Sequence, residues 1–134
     1  MALAIRPLYE DIAQMYGSGV GSDKLAAATV RAVNYTVDEL SIVEDRASKH
    51  AHVTTVEGSV STISDNYSHI VLTGVRFWLT RNGFIPIDPR VAAAVLKDTK
   101  DEWEDAKGLY VMDLVNIEQS TETNDITQQG YVTK

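Results

Sequence analysis

The stretch KLAAATVRAVNYTVDELSIVED, residues 24–45, carries the clearest periodic pattern of the chain. Apolar side chains recur along it at alternating steps of four and three residues, at Ala26, Val30, Val33, Val37 and Leu40. This spacing draws one apolar stripe along a helix, and Ser22 or Asp23 can cap its start. The other face is predicted to meet solvent or another subunit; it carries Arg31, Asn34, Asp38 and Glu39.

Three more helices are predicted around this one. A short helix begins at Pro7 and ends before Gly17, with an apolar face of Leu8, Ile12 and Met15. The third helix follows the capping residues Ser64 and Asp65 and ends at Gly83. Its broad apolar face comprises Tyr67, Ile70, Val71, Gly74, Val75 and Trp78. Glycine is unfavourable inside a helix, so Gly74 predicts a close helix crossing.

The fourth helix begins at Asp88-Pro89 and is predicted to run to about Val115. Its inward side carries Val91, Val95, Thr99, Trp103, Ala106 and Tyr110. Between the second and third helices, two β-prone runs at 53–56 and 59–63 flank Glu57-Gly58, which predicts a short β-hairpin.

The predicted fold class is therefore mainly α: a small bundle of about four helices with this hairpin between helices 2 and 3. After Asn116 the chain is polar and shows no helical period. We predict a domain over residues 1–116 and an extended C-terminal arm over residues 117–134.

Composition narrows the range of functions. The chain has 134 residues, 44% of them hydrophobic, a formal net charge of −7 and no cysteine. These values indicate one folded domain without a disulfide framework, thiolate metal ligands or a cysteine nucleophile. No export signal or membrane-length apolar run is recognised, and no Lys/Arg stripe favours binding to a nucleic-acid backbone.

Several groups of residues could carry chemistry, and each has a simpler structural interpretation. Glycines 17, 19 and 21 before Lys24 lack the spacing and preceding strand of a phosphate loop, so a linker is favoured. His50, His52 and His69 could ligate a metal but match no zinc pattern, and exposed loop histidines are favoured.

Acidic side chains on the fourth helix, at Asp98, Asp101, Glu102 and Asp105, could gather a divalent cation. Pairs at i,i+4, Lys97 with Asp101 and Lys100 with Glu104, favour a solvated face instead. Asp65 and His69 lie one turn apart, but no nucleophile is tied to an orienting base. The aromatic residues are assigned to the core or to an interface; they are Phe77, Trp78, Trp103 and Tyr110. We expect no enzyme and no cofactor.

The order of elements resembles the head-tail adaptor (connector) proteins of tailed bacteriophages. The resemblance covers roughly residues 20–115 and is carried by AVNYTVDEL at residues 32–40, DNYSHIVLTGVRFWL at residues 65–79 and the long last helix. It concerns layout rather than a diagnostic motif. The hairpin is a departure, because it is not a fixed feature of the helical adaptors.

The resemblance implies a virion protein of the neck, assembled in the host cytoplasm. Its copies would form a homo-oligomeric ring, usually a dodecamer, between the portal protein and a tail or nozzle protein, with DNA passing through the lumen without specific binding. The C-terminal arm would bind the portal, with Ile117, Ile126, Tyr131 and Val132 as anchors.

Three alternatives stay open from the sequence. The chain could be another neck protein of a phage, such as a tail-completion or stopper protein. It could also be a small cytoplasmic binding or regulatory module that pairs with one partner through the hairpin or the arm. A metal-dependent enzyme built on the three histidines is a third possibility.

Overall fold

The computed structural model describes the backbone of residues 2–16, 22–84 and 88–128, with all their side chains except those of Tyr16, Ser22 and residues 117–128. These ranges contain four helices: α1 (Arg6–Tyr16), α2 (Ser22–Val43), α3 (Ser68–Arg81) and α4 (Ala92–Gln128). Two strands, β1 (Ala2–Ala4) and β2 (Ser59–Ser64), form an antiparallel sheet, and a 3-10 turn at Asp65–Tyr67 joins β2 to α3. The mainly α class is confirmed.

The three longest helices meet around Gly74. α3 packs against both α2 and α4, and Gly74 lies where all three come together. A Cβ atom at this position would lie 2.7 Å from Thr36 Cγ2 of α2 and 2.9 Å from the Trp103 ring of α4. No side chain fits there, which confirms the close crossing predicted at this glycine.

The core follows the predicted helix faces, with differences at the helix ends. Fully buried helix positions include Val33, Val37, Leu40, Val71, Val75, Trp103 and Tyr110. Met15 and Val91, both predicted inward, are about half exposed at 47% and 48%. The buried face of α2 also takes in Thr29, Thr36 and Ser41, because each hydroxyl donates to the carbonyl four residues earlier.

A two-stranded sheet is present, but only one of its strands, β2, is a predicted one. β2 forms where a strand was predicted, but it pairs with β1, with Leu3 opposite Val60, and not with residues 53–56. The reason is Asn34, whose side-chain amide donates to the Val53 carbonyl (3.0 Å) and accepts from the Val53 N–H (2.9 Å). The backbone N–H and carbonyl of Val53 are therefore paired with a side chain of α2 and not with a strand. The edge of β2 is left free to pair with β1 at the N-terminus.

The polar face of α2 was predicted to meet solvent or another subunit, and most of it instead binds other parts of the chain. Beside Asn34, Asp38 accepts a hydrogen bond from His52 Nε2 at 2.8 Å. Glu39 accepts from Trp103 Nε1 and from Lys107 Nζ, both at 2.9 Å. This face therefore fixes the α2–β2 connection and α4 in place. Arg31 alone of the four stays exposed.

The last helix is longer than predicted. α4 continues past Val115 to Gln128, so residues 117–128 of the predicted extended arm have a helical backbone. Residues 129–134 lie outside the described part of the chain. Once packing has formed a helix, each further residue adds one hydrogen bond without a new nucleation cost, so helix can persist where no apolar period marks it.

Replacing Gly74 with alanine should destabilise the protein by about 1–2 kcal/mol. The added methyl group would overlap Thr36 and Trp103, and overpacking of this kind costs about 1–3 kcal/mol against a gain of up to ~1 kcal/mol in helix propensity. Gly108→Ala is the matched control, since open space surrounds that helical glycine and the same change should stabilise. Urea unfolding measures both; equal stabilisation by the two variants would refute the tight crossing.

Candidate interaction surfaces

The three histidines do not come together. His50 is buried, His52 is exposed in the same connection and His69 lies exposed on α3. Residues 50–52 form no strand, so the shared face that would present two imidazoles is not formed. Among the described residues, no group of three or more histidine, aspartate or glutamate side chains is placed to hold a metal ion.

His50 instead belongs to a buried polar network centred on Glu44, the first residue after α2. His50 Nε2–H and the Tyr110 hydroxyl (2.8 Å) both donate to Glu44 Oε2. The Thr62 hydroxyl forms a hydrogen bond with His50 Nδ1. Burial and the Glu44 carboxylate raise the pKa of Tyr110 well above its usual value. The network ties α2, β2 and α4 together.

A second set of polar contacts closes the same end of the molecule. The Tyr67 hydroxyl donates to Asp113 of α4, and its ring packs edge-on against Tyr110, with centroids 4.9 Å apart. The hydrogen bond to Asp113, helped by burial, raises the pKa of Tyr67 to about 12. Both tyrosines therefore remain protonated donors across the physiological range.

The carboxylates of α4 are spread along the helix and form no cage. Lys97 pairs with Asp101 at 2.9 Å as predicted, whereas Glu104 pairs with Lys107 at 3.0 Å rather than with Lys100. Glu102 lies 3.6 Å from Arg76. Asp98 and Asp105, both exposed, form no ion pair among the described residues, although the charge of Asp98 acts on neighbouring Lys97.

A surface of exposed arginine and tyrosine side chains and half-buried Trp78 and Phe84 lies at the other end of the α2–α3 pair. The Tyr35 and Trp78 rings are 4.9 Å apart, and the Arg81 guanidinium lies 5.2 Å from the centre of the Trp78 ring. Arg31 lies over Phe84 at 5.9 Å. We call this the aromatic–arginine surface; it comprises Arg31, Tyr35, Trp78, Arg81 and Phe84.

The two arginines of this surface have no carboxylate within ion-pair distance in the part of the chain that the structure describes. Stacking on aromatic rings holds each guanidinium in place without neutralising it. A depression between Arg31, Tyr35 and Phe84 extends the surface along α2 to Ala28. From the sequence, Trp78 is predicted to lie in the core or at an interface. That it shares a surface with Arg31 cannot be predicted, because the two residues are distant in sequence.

A groove runs between α3 and α4 on another side of the molecule. Ile70, Ala106 and Leu109 provide its apolar lining, and Glu102 and Asp105 lie along α4 beside them. We call this the acidic groove. Asp98 lies one turn before Glu102 on the same side of α4, which extends the acidic stripe beyond the groove.

Beyond the groove, α4 carries large apolar side chains on its outer side as well as its inner side, with Asp113 as the one charged residue among them. Tyr110 and Leu114 face the core, whereas Leu109 and Met112 are each 61% exposed and Val115 is 43% exposed. We call residues 109–115 the apolar girdle. Contiguous patches of exposed apolar side chains mark interaction sites. Nothing in the described chain covers the outer half of the girdle, and the exposed side chains there are large.

The four residues predicted to anchor a partner lie in or beyond the end of α4. Ile117 and Ile126 belong to its helical backbone, and their side chains are outside those described. Tyr131 and Val132 lie outside the described residues. Their role in binding a portal stays a prediction.

Comparison with known proteins gives no relative to argue from: no protein-family model, curated protein or solved structure matches the chain. Among the described helices, none combines the length and apolarity that crossing a membrane requires. The function is therefore inferred from the surfaces described above.

Replacing Glu44 with alanine should lower the free energy of unfolding by about 2–4 kcal/mol. The change leaves the buried His50 N–H and the Tyr110 hydroxyl without an acceptor, and each orphaned group costs about 1–3 kcal/mol. Glu104→Ala removes a carboxylate from an exposed pair and should change stability by no more than about 0.5 kcal/mol. Equal effects in urea unfolding would show that the network is not structural.

Proposed function

We propose that this protein is a structural component of a phage virion, a head-tail adaptor. Its copies form a ring between the portal and the tail, and the segment of residues 117–134 binds the portal. The role is one of assembly and not of catalysis. The layout of the helices suggested this function, and the exposed girdle at the end of the bundle supports it.

The apolar girdle is the observation that carries the proposal. Leu109, Met112 and Val115 lie on the side of α4 away from the core and leave large apolar surface in water. Such surface is normally covered by another protein. After Leu114, the last described α4 residue that packs on the core, the helix continues to Gln128, roughly 20 Å at 1.5 Å per residue. A partner is therefore expected along this part of the molecule.

The charge of the chain is compatible with a conduit for DNA. A net charge of −7 gives a field that repels phosphate. A ring of such subunits would let DNA pass without holding it. The proposed ring therefore binds proteins on its faces and leaves the nucleic acid in its lumen free.

The direct test is native mass spectrometry of the purified chain with and without the portal ring of the phage from whose genome it comes. The proposal predicts a multi-copy complex on the portal. Free subunits that assemble only on that template also fit, since the portal supplies the partner surface. No association with the portal would contradict the proposal, and a single stoichiometric complex with a different protein would favour a binding module.

Loss of the four apolar anchors should abolish portal binding and leave the fold intact. The test variant changes each of these residues to serine: Ile117, Ile126, Tyr131 and Val132. Binding is measured by pull-down on the portal, and folding by thermal unfolding followed by circular dichroism. Burial of several large apolar side chains is worth about 1.5–3 kcal/mol each, so the loss should exceed a hundredfold in affinity, that is, about 3 kcal/mol.

A matched control changes four polar residues of the same segment to serine: Thr121, Thr123, Gln128 and Gln129. It should bind the portal as the unchanged chain does. If both variants bind equally well, the segment is not the portal anchor, and if both lose binding, the apolar side chains are not what matters.

A further inference from the structure

The aromatic–arginine surface and the acidic groove have complementary chemistry. One presents aromatic rings and two guanidinium groups that form no ion pair. The other presents an apolar floor beside carboxylates and Arg76, which pairs with Glu102. Arg31 and Arg81 on the first surface, and Asp98 and Asp105 along the second, form no ion pair among the described residues. The charges left without an ion pair are therefore positive on the first surface and negative on the second.

The two surfaces lie on different sides of the subunit, so they cannot satisfy each other within one chain. Thr73 and Arg76 of α3 line the groove. With 3.6 residues per turn, Trp78 projects from α3 about 140° from Thr73 and about 160° from Arg76. The surface and the groove therefore face nearly opposite directions across α3.

The composition of the aromatic–arginine surface fits a protein interface better than a solvated face. Tryptophan, tyrosine and arginine are the residues that most often dominate binding energy in protein interfaces. The stacked arginines are already ordered, so less side-chain entropy is lost when a carboxylate approaches. Lys100 lies near Arg81 and adds positive charge to the same side.

From these observations we infer that the aromatic–arginine surface of one copy docks into the acidic groove of the next copy. The inference rests on the proposed ring and names the contact that closes it. Because unlike patches meet, the contact is heterologous, and repeating it generates a ring or an open chain rather than a two-fold dimer. The partner at this surface is thus a second copy of the chain.

Charge reversal tests the contact. One variant carries Arg31→Glu and Arg81→Glu, and the other carries Asp98→Lys and Asp105→Lys. All four side chains are exposed, so both variants should fold as the unchanged chain does. In sedimentation velocity up to about 1 mM, the unchanged chain should associate, and each variant alone should associate at least about tenfold more weakly.

An equimolar mixture of the two variants should associate again, because the reversed surface of one then meets the reversed groove of the other. The matched control, Arg6→Glu with Lys49→Glu, makes the same change in net charge at exposed cations that do not belong to the surface and should leave association unchanged. Higher salt should weaken association of the unchanged chain, as screening of exposed charges requires.

Three results would overturn the inference: an unchanged chain that stays monomeric up to about 1 mM, reversal variants that associate normally, or a mixture that does not recover. None of these involves the portal. Failure of portal binding would remove the proposed function while a recovered mixture still upheld the contact between copies. If the portal binds normally and charge reversal has no effect on association, the proposed function stands and the contact between copies is refuted.

Discussion

Trp103 is the contact on which the arrangement of the three long helices depends. It is fully buried, lies against the gap that Gly74 leaves in α3 and donates its indole N–H to Glu39 of α2. Lys107 lies over the same ring and binds the same carboxylate. Burial lowers the pKa of Lys107, but hydrogen bonds to Glu39 and Glu104 outweigh it, so its pKa is raised and it stays charged. One aromatic side chain thus sets how α2, α3 and α4 approach.

This packing leaves the two proposed interaction surfaces outside. With α3 between α2 and α4, one side of α3 joins α2 in the aromatic–arginine surface and another joins α4 in the acidic groove. The polar contacts of Glu44 and Tyr67 brace α4 where the apolar girdle begins. The rigid body therefore holds its candidate contacts at fixed relative positions, as repeated head-to-tail assembly requires.

The helices could be predicted from the sequence because their signals are local: caps, apolar spacing and the glycine at the crossing. The partner of β2 could not, because β1 is only three residues long and more than fifty residues away, and because an asparagine on α2 takes the place of a neighbouring strand. The aromatic–arginine surface and the acidic groove could not be predicted either, because their residues are distant in sequence. Arg31 and Phe84 meet only after the helices pack, and no spacing in the chain connects them.

The chain contains no cysteine, so single introduced cysteines can report which faces meet between copies. One variant carries Asn82→Cys beside the aromatic–arginine surface, and a second carries Thr73→Cys in the acidic groove. Under mild oxidation of an equimolar mixture, we expect disulfides to join the two different variants in clear excess over like pairs. Like pairs in excess, or no disulfides above the level of a Gly108→Cys control, would contradict head-to-tail assembly.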